Sequence, residues 1–324
     1  MSNFLSLCAC WEGVTPELHN TGQLTNLQWP PAGEYAAQGR SATTSLLLCG
    51  LCLLKTTRRG VRWHHPSSPP EYWQAFYEVQ KNVLIEKPLA MNSREVQELI
   101  SAAKDSNVFL MEAIWTCFFP VSLEVRRLLA QAEVGDVQIV RADLGAPLTH
   151  VPRLVDRDLG GGALLDLGIY CLQFVFMVYN GERPESIQAT GHRIDTGVDG
   201  TEVLVLKFSG NRLAICTCSV TMMLSCDAVI AGTKGTIKVP HHMWCPTALE
   251  VNGKETNFPL PEADMPLNFT NSTGLRYEAE EVRRCLLEGL KESPGMPWAH
   301  SSLIAEVLDE ARRQLGVTYD QDNV

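Results

Sequence analysis

The sequence has little basic charge: 27 Lys and Arg stand against 37 Asp and Glu, a formal net charge of -10 at pH 7 over 324 residues. A nucleic-acid partner requires a basic face to neutralise phosphates, so none is expected. Long apolar runs are also missing. Ser45 to Leu54 (SLLLCGLCLL) stops at Lys55, short of the roughly twenty residues that span a bilayer, and reads as a buried segment of a soluble chain. Residues 1–23 contain no Lys or Arg, whereas a secretory leader begins with basic residues, so a cytoplasmic protein with no membrane partner is expected.

Closely spaced glycines are absent from the first quarter. Gly13, Gly22, Gly33, Gly39, Gly50 and Gly60 are never nearer than six residues to one another. A loop that cradles a pyrophosphate needs glycines packed together, because backbone N–H groups must approach the phosphates at a helix N-terminus. Residues 1–80 carry four of the seven Trp, clusters such as Trp29-Pro-Pro and Pro66-Ser-Ser-Pro-Pro, and no sustained period of 3.6 or 2. Five acids balance five bases there, so the whole net charge lies in residues 81–324.

The eleven cysteines are scattered and odd in number, a pattern that fits free, mostly buried thiols in a reducing compartment better than disulfides. No metal site is expected. Cys8-x-Cys10 lacks a second pair, Cys49-x-x-Cys52 is followed by adjacent histidines (His64, His65), and His241, His242 and Cys245 lack a fourth ligand. The glycosylation patterns at Asn268 and Asn271 are read as coincidence without a leader.

From Lys81 local signals agree. Asn82 to Glu86 (NVLIE) reads as a buried strand, and Asn92 or Ser93 as the cap of a helix with Val96, Leu99, Ile100 and Ala103 on one face. Val108 to Met111 is the next strand, completing a parallel crossover unit. A helix over Pro120 to Ala130, a strand over Val137 to Leu144 and an apolar helix over Leu164 to Tyr179 follow. Strands are then expected at 186–192, 202–208, 213–220, 228–231 and 236–239, joined by short turns as in an antiparallel sheet, with helices at 277–291 and 301–314.

Several spaced segments carry a family resemblance: VLIEKPLA (83–90), FLMEAIWTCFFP (109–120), LTHVPR (148–153), GGGALLDLGIYCLQF (160–174), TGVDGT (196–201), AGTKG (231–235) and GLKESP (289–294). Together they resemble the glucose-fructose oxidoreductase family, and within it the branch that oxidises trans-dihydrodiols and D-xylose with NADP. The resemblance covers about three quarters of the chain and does not extend to residues 1–80, where the family carries its glycine-rich turn. It implies an α/β protein: an incomplete Rossmann-type parallel sheet domain, then an α/β domain with an open, mostly antiparallel sheet through which two copies form a homodimer. On this reading residues 1–80 are an atypical, poorly ordered segment replacing the first part of the dinucleotide-binding domain. Residues 81–118 are its remaining strands and helix, and residues 119–324 the substrate and dimerisation domain. The strand at Val83 would then lie at an exposed sheet edge.

The resemblance places Lys87, of the Glu86-Lys87-Pro88 turn, near the nicotinamide and the substrate hydroxyl. Glu86, Lys87, Pro88 and Asp166 are the implied cofactor contacts, and Trp115 an aromatic wall of the pocket for a small alcohol or sugar. Asp166 and Tyr170, four residues apart, would share one face of the active-site helix. The chemistry agrees with this trio. Oxidising a secondary alcohol needs a base for the hydroxyl proton, and a free Tyr, with a pKa of about 10, needs help near neutrality. A lysine ammonium close by favours the phenolate. Tyr170 is therefore the expected general acid/base, Lys87 its tuner, and Asp166 the partner that fixes Lys87 or the substrate. Each has a bland alternative: Lys87 a surface turn residue, Tyr170 ordinary core, Asp166 a buried carboxylate with some structural partner. The Gly160-Gly161-Gly162 run is either a plain loop before a helix or a close approach for substrate.

One departure stands inside the matched region: Cys117 occupies a position where the family usually has Arg. Together with the absent phosphate loop it keeps a second reading open, a catalytically silent relative that retains only the dimerising sheet domain.

Overall fold

A computed structural model describes residues 51–54, 81–263, 266–267 and 269–323. The expected disorder of residues 1–80 and the cysteine and histidine pairs within them lie outside the described residues, apart from one strand. That strand, β1 (Leu51–Leu54), pairs in parallel with β2 (Asn82–Glu86), which pairs in parallel with β3 (Leu110–Ala113). The expectation of an open edge at Val83 is therefore corrected: β2 is the central strand of three. Its Val83, Leu84 and Ile85 are all buried, the continuous apolar run that a parallel strand covered on both faces requires.

Helix α1 (Ser93–Asp105) crosses between β2 and β3. Asn92 caps it: its side-chain oxygen accepts from the Glu95 N–H at 2.9 Å. At the other end Asn107 turns left-handed at φ 52°, and the Val108 N–H returns to the Ala103 carbonyl at 3.1 Å. Val108 is thus engaged in closing the helix, which is why the third strand begins at Leu110 rather than at Val108.

The larger sheet has eight strands in the order β11-β10-β9-β8-β4-β7-β6-β5. They are β4 (Val137–Gly145), β5 (Ser186–Arg193), β6 (Asp199–Phe208), β7 (Arg212–Ser219), β8 (Ala228–Gly232), β9 (Gly235–Val239), β10 (Ala248–Val251) and β11 (Lys254–Asn257). Every neighbouring pair is antiparallel except β4 and β7. The β10–β11 hairpin was not expected. Lys254-Glu-Thr-Asn257 is exposed and polar throughout, so it shows no alternation. Its signal is the turn, Asn252-Gly253, with φ of 51° and 83°, the pair that a tight hairpin favours.

Around the sheets lie α2 (Pro120–Ala130), the single turn α3 (Pro152–Val155), α4 (Ile169–Val178), α5 (Leu275–Leu287) and α6 (Trp298–Leu315). Residues Ile169 through Met177 of α4 are all buried, so this helix lies within the core. The segment Arg157–Val178 is long and apolar enough to cross a membrane, contrary to the sequence reading, but 94% of its most apolar 18-residue window is buried inside the molecule, as in the core helix of a folded domain. The seven described cysteines outside β1 are free and buried.

Candidate active site

The end of β2 is tied to the segment before α4 by one buried side chain. Lys87 follows the last residue of β2, and its buried side chain reaches the segment leading into α4. Its Nζ donates to the backbone carbonyl of Asp166 at 2.6 Å and lies 3.5 Å from the Asp166 carboxylate. The expected simple helix over Leu164 to Tyr179 is corrected here. Leu164–Gly168 is a π-helical turn, in which the Ile169 N–H reaches back to the Leu164 carbonyl, and the α-helix begins only at Ile169. The wider turn loosens the carbonyl ladder beside Asp166, and such turns recur at functional sites.

Tyr170 stands in the first turn of α4, almost fully buried. Its hydroxyl accepts from the Trp115 indole N–H at 3.2 Å, and the Lys87 ammonium lies 4.6 Å from the centre of its ring. Trp115, in the 3-10 turn Trp115–Phe118, packs edge-on against Phe119 and Phe269, with ring centres at 5.2 and 5.8 Å. The structure therefore brings Lys87, Trp115, Asp166 and Tyr170 together, with Pro88 next to Lys87 in the turn and Glu86 close enough to be felt by Tyr170.

The expected tuning of Tyr170 is different in this state. Burial, then the carboxylates of Glu86 and Asp166, push the phenol well above its ordinary value, and the Trp115 hydrogen bond only partly opposes them. Lys87 lies over the ring face, where it acts as a cation on a π-system.

Arg153 completes the cluster and was missed, although its motif was noticed. Its Nη1 donates to Asp166 Oδ1 at 2.7 Å and its Nη2 to Oδ2 at 3.4 Å. One buried carboxylate thus holds two cations, and the signal was an Arg on the short turn α3 just before the glycine run. That run has a structural role at Gly162, whose φ of +124° suits glycine. A Cβ there would lie 2.3 Å from Asp199 Oδ1, and Asp199 Oδ2 accepts from the Leu164 N–H at 2.6 Å, fixing the start of the π turn.

Cys117 is buried, its sulfur 3.8 Å from that of Met296, and burial pushes its thiol up to about 12. Glu278 of α5 also acts on this thiol. Its Oε2 is buried with no hydrogen-bond partner among the described residues, and burial followed by the charge of Glu86 drives its carboxyl far above the usual range. Among the described residues no cation pairs with that carboxyl.

A parallel sheet ending in a Lys-bearing turn, with Asp166 on a π turn and Tyr170 on the core helix beside a mixed sheet, fits a nicotinamide-type oxidoreductase fold. Residues 64–114 match the oxidoreductase family with an NAD-binding Rossmann fold, and residues 122–238 match the GFO/IDH/MocA C-terminal domain. The chain is 65% identical over 248 residues to a trans-1,2-dihydrobenzene-1,2-diol dehydrogenase of Danio rerio, covering 76% of this chain and 74% of that protein. It is 48% identical over 242 residues to the human protein of the same name, covering 75% and 72%. The chain belongs to the GFO/IDH/MocA oxidoreductase family. Among solved structures, an aldose-aldose oxidoreductase from Caulobacter crescentus superposes with a TM-score of 0.65 at 21% identity, covering 82% of this chain and 77% of that one. A 3-ketoreductase from Actinomadura kijaniata, solved with NADP, gives 0.59 at 19% identity over 75% and 74%.

Proposed function

We propose that this chain oxidises a secondary hydroxyl of a trans-dihydrodiol or of D-xylose with NADP, with Tyr170 as the general acid/base. The observation that carries the reading is the contact set joining Lys87, Asp166, Tyr170 and Trp115. Dihydrodiol dehydrogenases at 48–65% identity support the diol substrate, and the NADP complex of the ketoreductase supports the cofactor.

The residues present fit the nicotinamide end of such a cofactor. In open α/β sheets ligands bind beyond the carboxyl ends of the parallel strands, and β2 delivers Glu86, Lys87 and Pro88 there, facing Asp166. When bound, the nicotinamide would accept the hydride. Lys87 holds the substrate hydroxyl, anchored by the Asp166 carbonyl so that its charge points into the site. Tyr170 takes the hydroxyl proton as its phenolate, the form that the Lys87 ammonium and a positively charged nicotinamide would favour against burial, Glu86 and Asp166, and Trp115 both holds the phenol oxygen and forms an apolar wall. Asp166, balanced by Lys87 and Arg153, keeps the two cations in register. A homodimer through the larger sheet belongs to the same reading. The cross-strand pairs Val203–Thr217 and Val205–Ile215 form a half-buried apolar strip that supports it.

A second reading, a silent relative, has its own support: the first quarter lacks closely spaced glycines, Cys117 stands where the family usually has Arg, and the buried Glu278 Oε2 has no hydrogen-bond partner among the described residues. Thermal-shift titration of the purified chain with NADPH separates the two. Saturable binding with a rise in melting temperature supports the enzyme; no shift at millimolar NADPH supports the silent relative.

A further inference from the structure

The turn that carries Lys87 rests on buried ionisable groups. Glu112 of β3, opposite Ile85 of β2, accepts from the Leu89 N–H through Oε1 at 2.8 Å. Glu95 accepts from the Met91 N–H at 3.1 Å, and Arg312 donates to the Met91 carbonyl at 3.1 Å. The second Glu112 oxygen is different. Oε2 is buried without a hydrogen-bond partner among the described residues. Glu112 also lines a pocket of about 10 Å³, together with Pro88, Leu89, Leu165, Ile169 and Ser301 among others. That is room for about one water, and an unsatisfied carboxylate oxygen is the kind of partner a buried water needs.

We propose that Glu112, with Ser301 and one water, forms a buried proton-binding site beneath the turn and is a positioning residue for Lys87. The proposal rests on the reading of Lys87 as part of the acid-base machinery. Burial pushes the Glu112 carboxyl up to about 7; the Ser301 hydroxyl, the Leu89 N–H and the Lys87 charge oppose that rise, and Glu86 adds to it. The other charged groups around it are already engaged: Glu95 with Met91, and Asp309 with Arg312 and the Ser93 N–H. The buried Cys117 thiol stays protonated across this range. When Glu112 ionises, its charge, held at the turn through the Leu89 N–H, adds to the pull on the Lys87 ammonium and holds it back from the substrate hydroxyl. When Glu112 is neutral, that pull on Lys87 is absent.

The test uses the full chain and needs neither cofactor nor turnover, so its failure is distinct from failure of the enzymatic reading. Because the folded-state value lies above the usual 4.5, the folded protein holds a proton that the unfolded chain has released. The native state therefore loses stability as pH rises from about 4.5 to about 7, and the loss is constant above that. Glu112→Gln keeps an acceptor for Leu89 and removes the titration. Its melting temperature relative to wild type is expected to climb between pH 5 and 7 and then level off; a difference independent of pH overturns the proton site. The Cε resonance of Lys87 in lysine-labelled protein, assigned with Lys87→Arg, is expected to show an inflection near pH 7 that Glu112→Gln lacks. Identical curves overturn the link to Lys87. Should the Gln variant fail to fold, Ser301→Ala removes a group that favours the ionised form and is expected to move the inflection upward; an unmoved inflection counts against the proposal.

Discussion

The two sheets solve opposite problems. In the three-stranded sheet β2 is buried on both faces and carries its chemistry at its end, where the chain leaves as the Lys87 turn. In the eight-stranded sheet β6 alternates buried and half-buried residues, one face packed on the core and the other left partly open. Its chemistry comes from the helix that it buries. Short parallel strands place residues at an edge, and a broad mixed sheet fixes a helix from behind; the site exists because the Lys87–Asp166 contact joins the two.

Removing that joint is expected to have the largest effect. Asp166→Ala leaves Lys87 and Arg153 facing each other without their shared carboxylate, and breaking such a buried pair costs about 3–5 kcal/mol. Urea unfolding should show that loss together with abolished turnover; a native-like midpoint would mean that the two halves are held by something else. Gly162→Ala tests the mixed-sheet side alone. Left-handed strain and the approach to Asp199 should together cost about 1–3 kcal/mol, read from the same unfolding midpoint, with the Lys87 turn unperturbed in lysine spectra.

A gain is expected at Glu278. Its carboxyl sits far above the usual range, so at pH 8 the fold bears a penalty that is much smaller near pH 4.5, where the folded carboxyl is protonated and the unfolded one about half protonated. Glu278→Gln should stabilise the protein at pH 8 by about 1–2 kcal/mol and by less near pH 4.5, measured by thermal unfolding at the two values. Equal effects at both would show that Glu278 is not strained by burial. The smallest effect belongs to the parallel unit: Asn92→Ala removes the cap of α1 and should cost about 1 kcal/mol in chemical denaturation.

Much of this was legible in the sequence, for reasons specific to each element. Strand β2 and helix α2 show their bounds because a buried apolar run and a proline at the first helical position are local signals. The pairing of β1 with β2 was not legible, since parallel pairing depends on partners far apart in the chain. The π turn escaped because a one-residue change in helical register leaves the apolar pattern of 164–178 intact. Lys87, Asp166, Tyr170 and Trp115, which the structure brings into contact, were singled out through their motifs. Arg153, Glu112 and Glu278 were missed because a single charged residue signals function only once its burial and partners are known. The upward shift of Tyr170 likewise depends on Glu86 and Asp166 converging from two elements, which spacing alone cannot show.

The central claim is that Tyr170 handles the proton. The most direct measurement is the steady-state oxidation of a trans-dihydrodiol by wild type and Tyr170→Phe at saturating NADP, with NADPH affinity measured in parallel. A loss of kcat by about 10²–10⁴-fold at unchanged affinity is the predicted result, whereas a phenylalanine variant that turns over like wild type would contradict it.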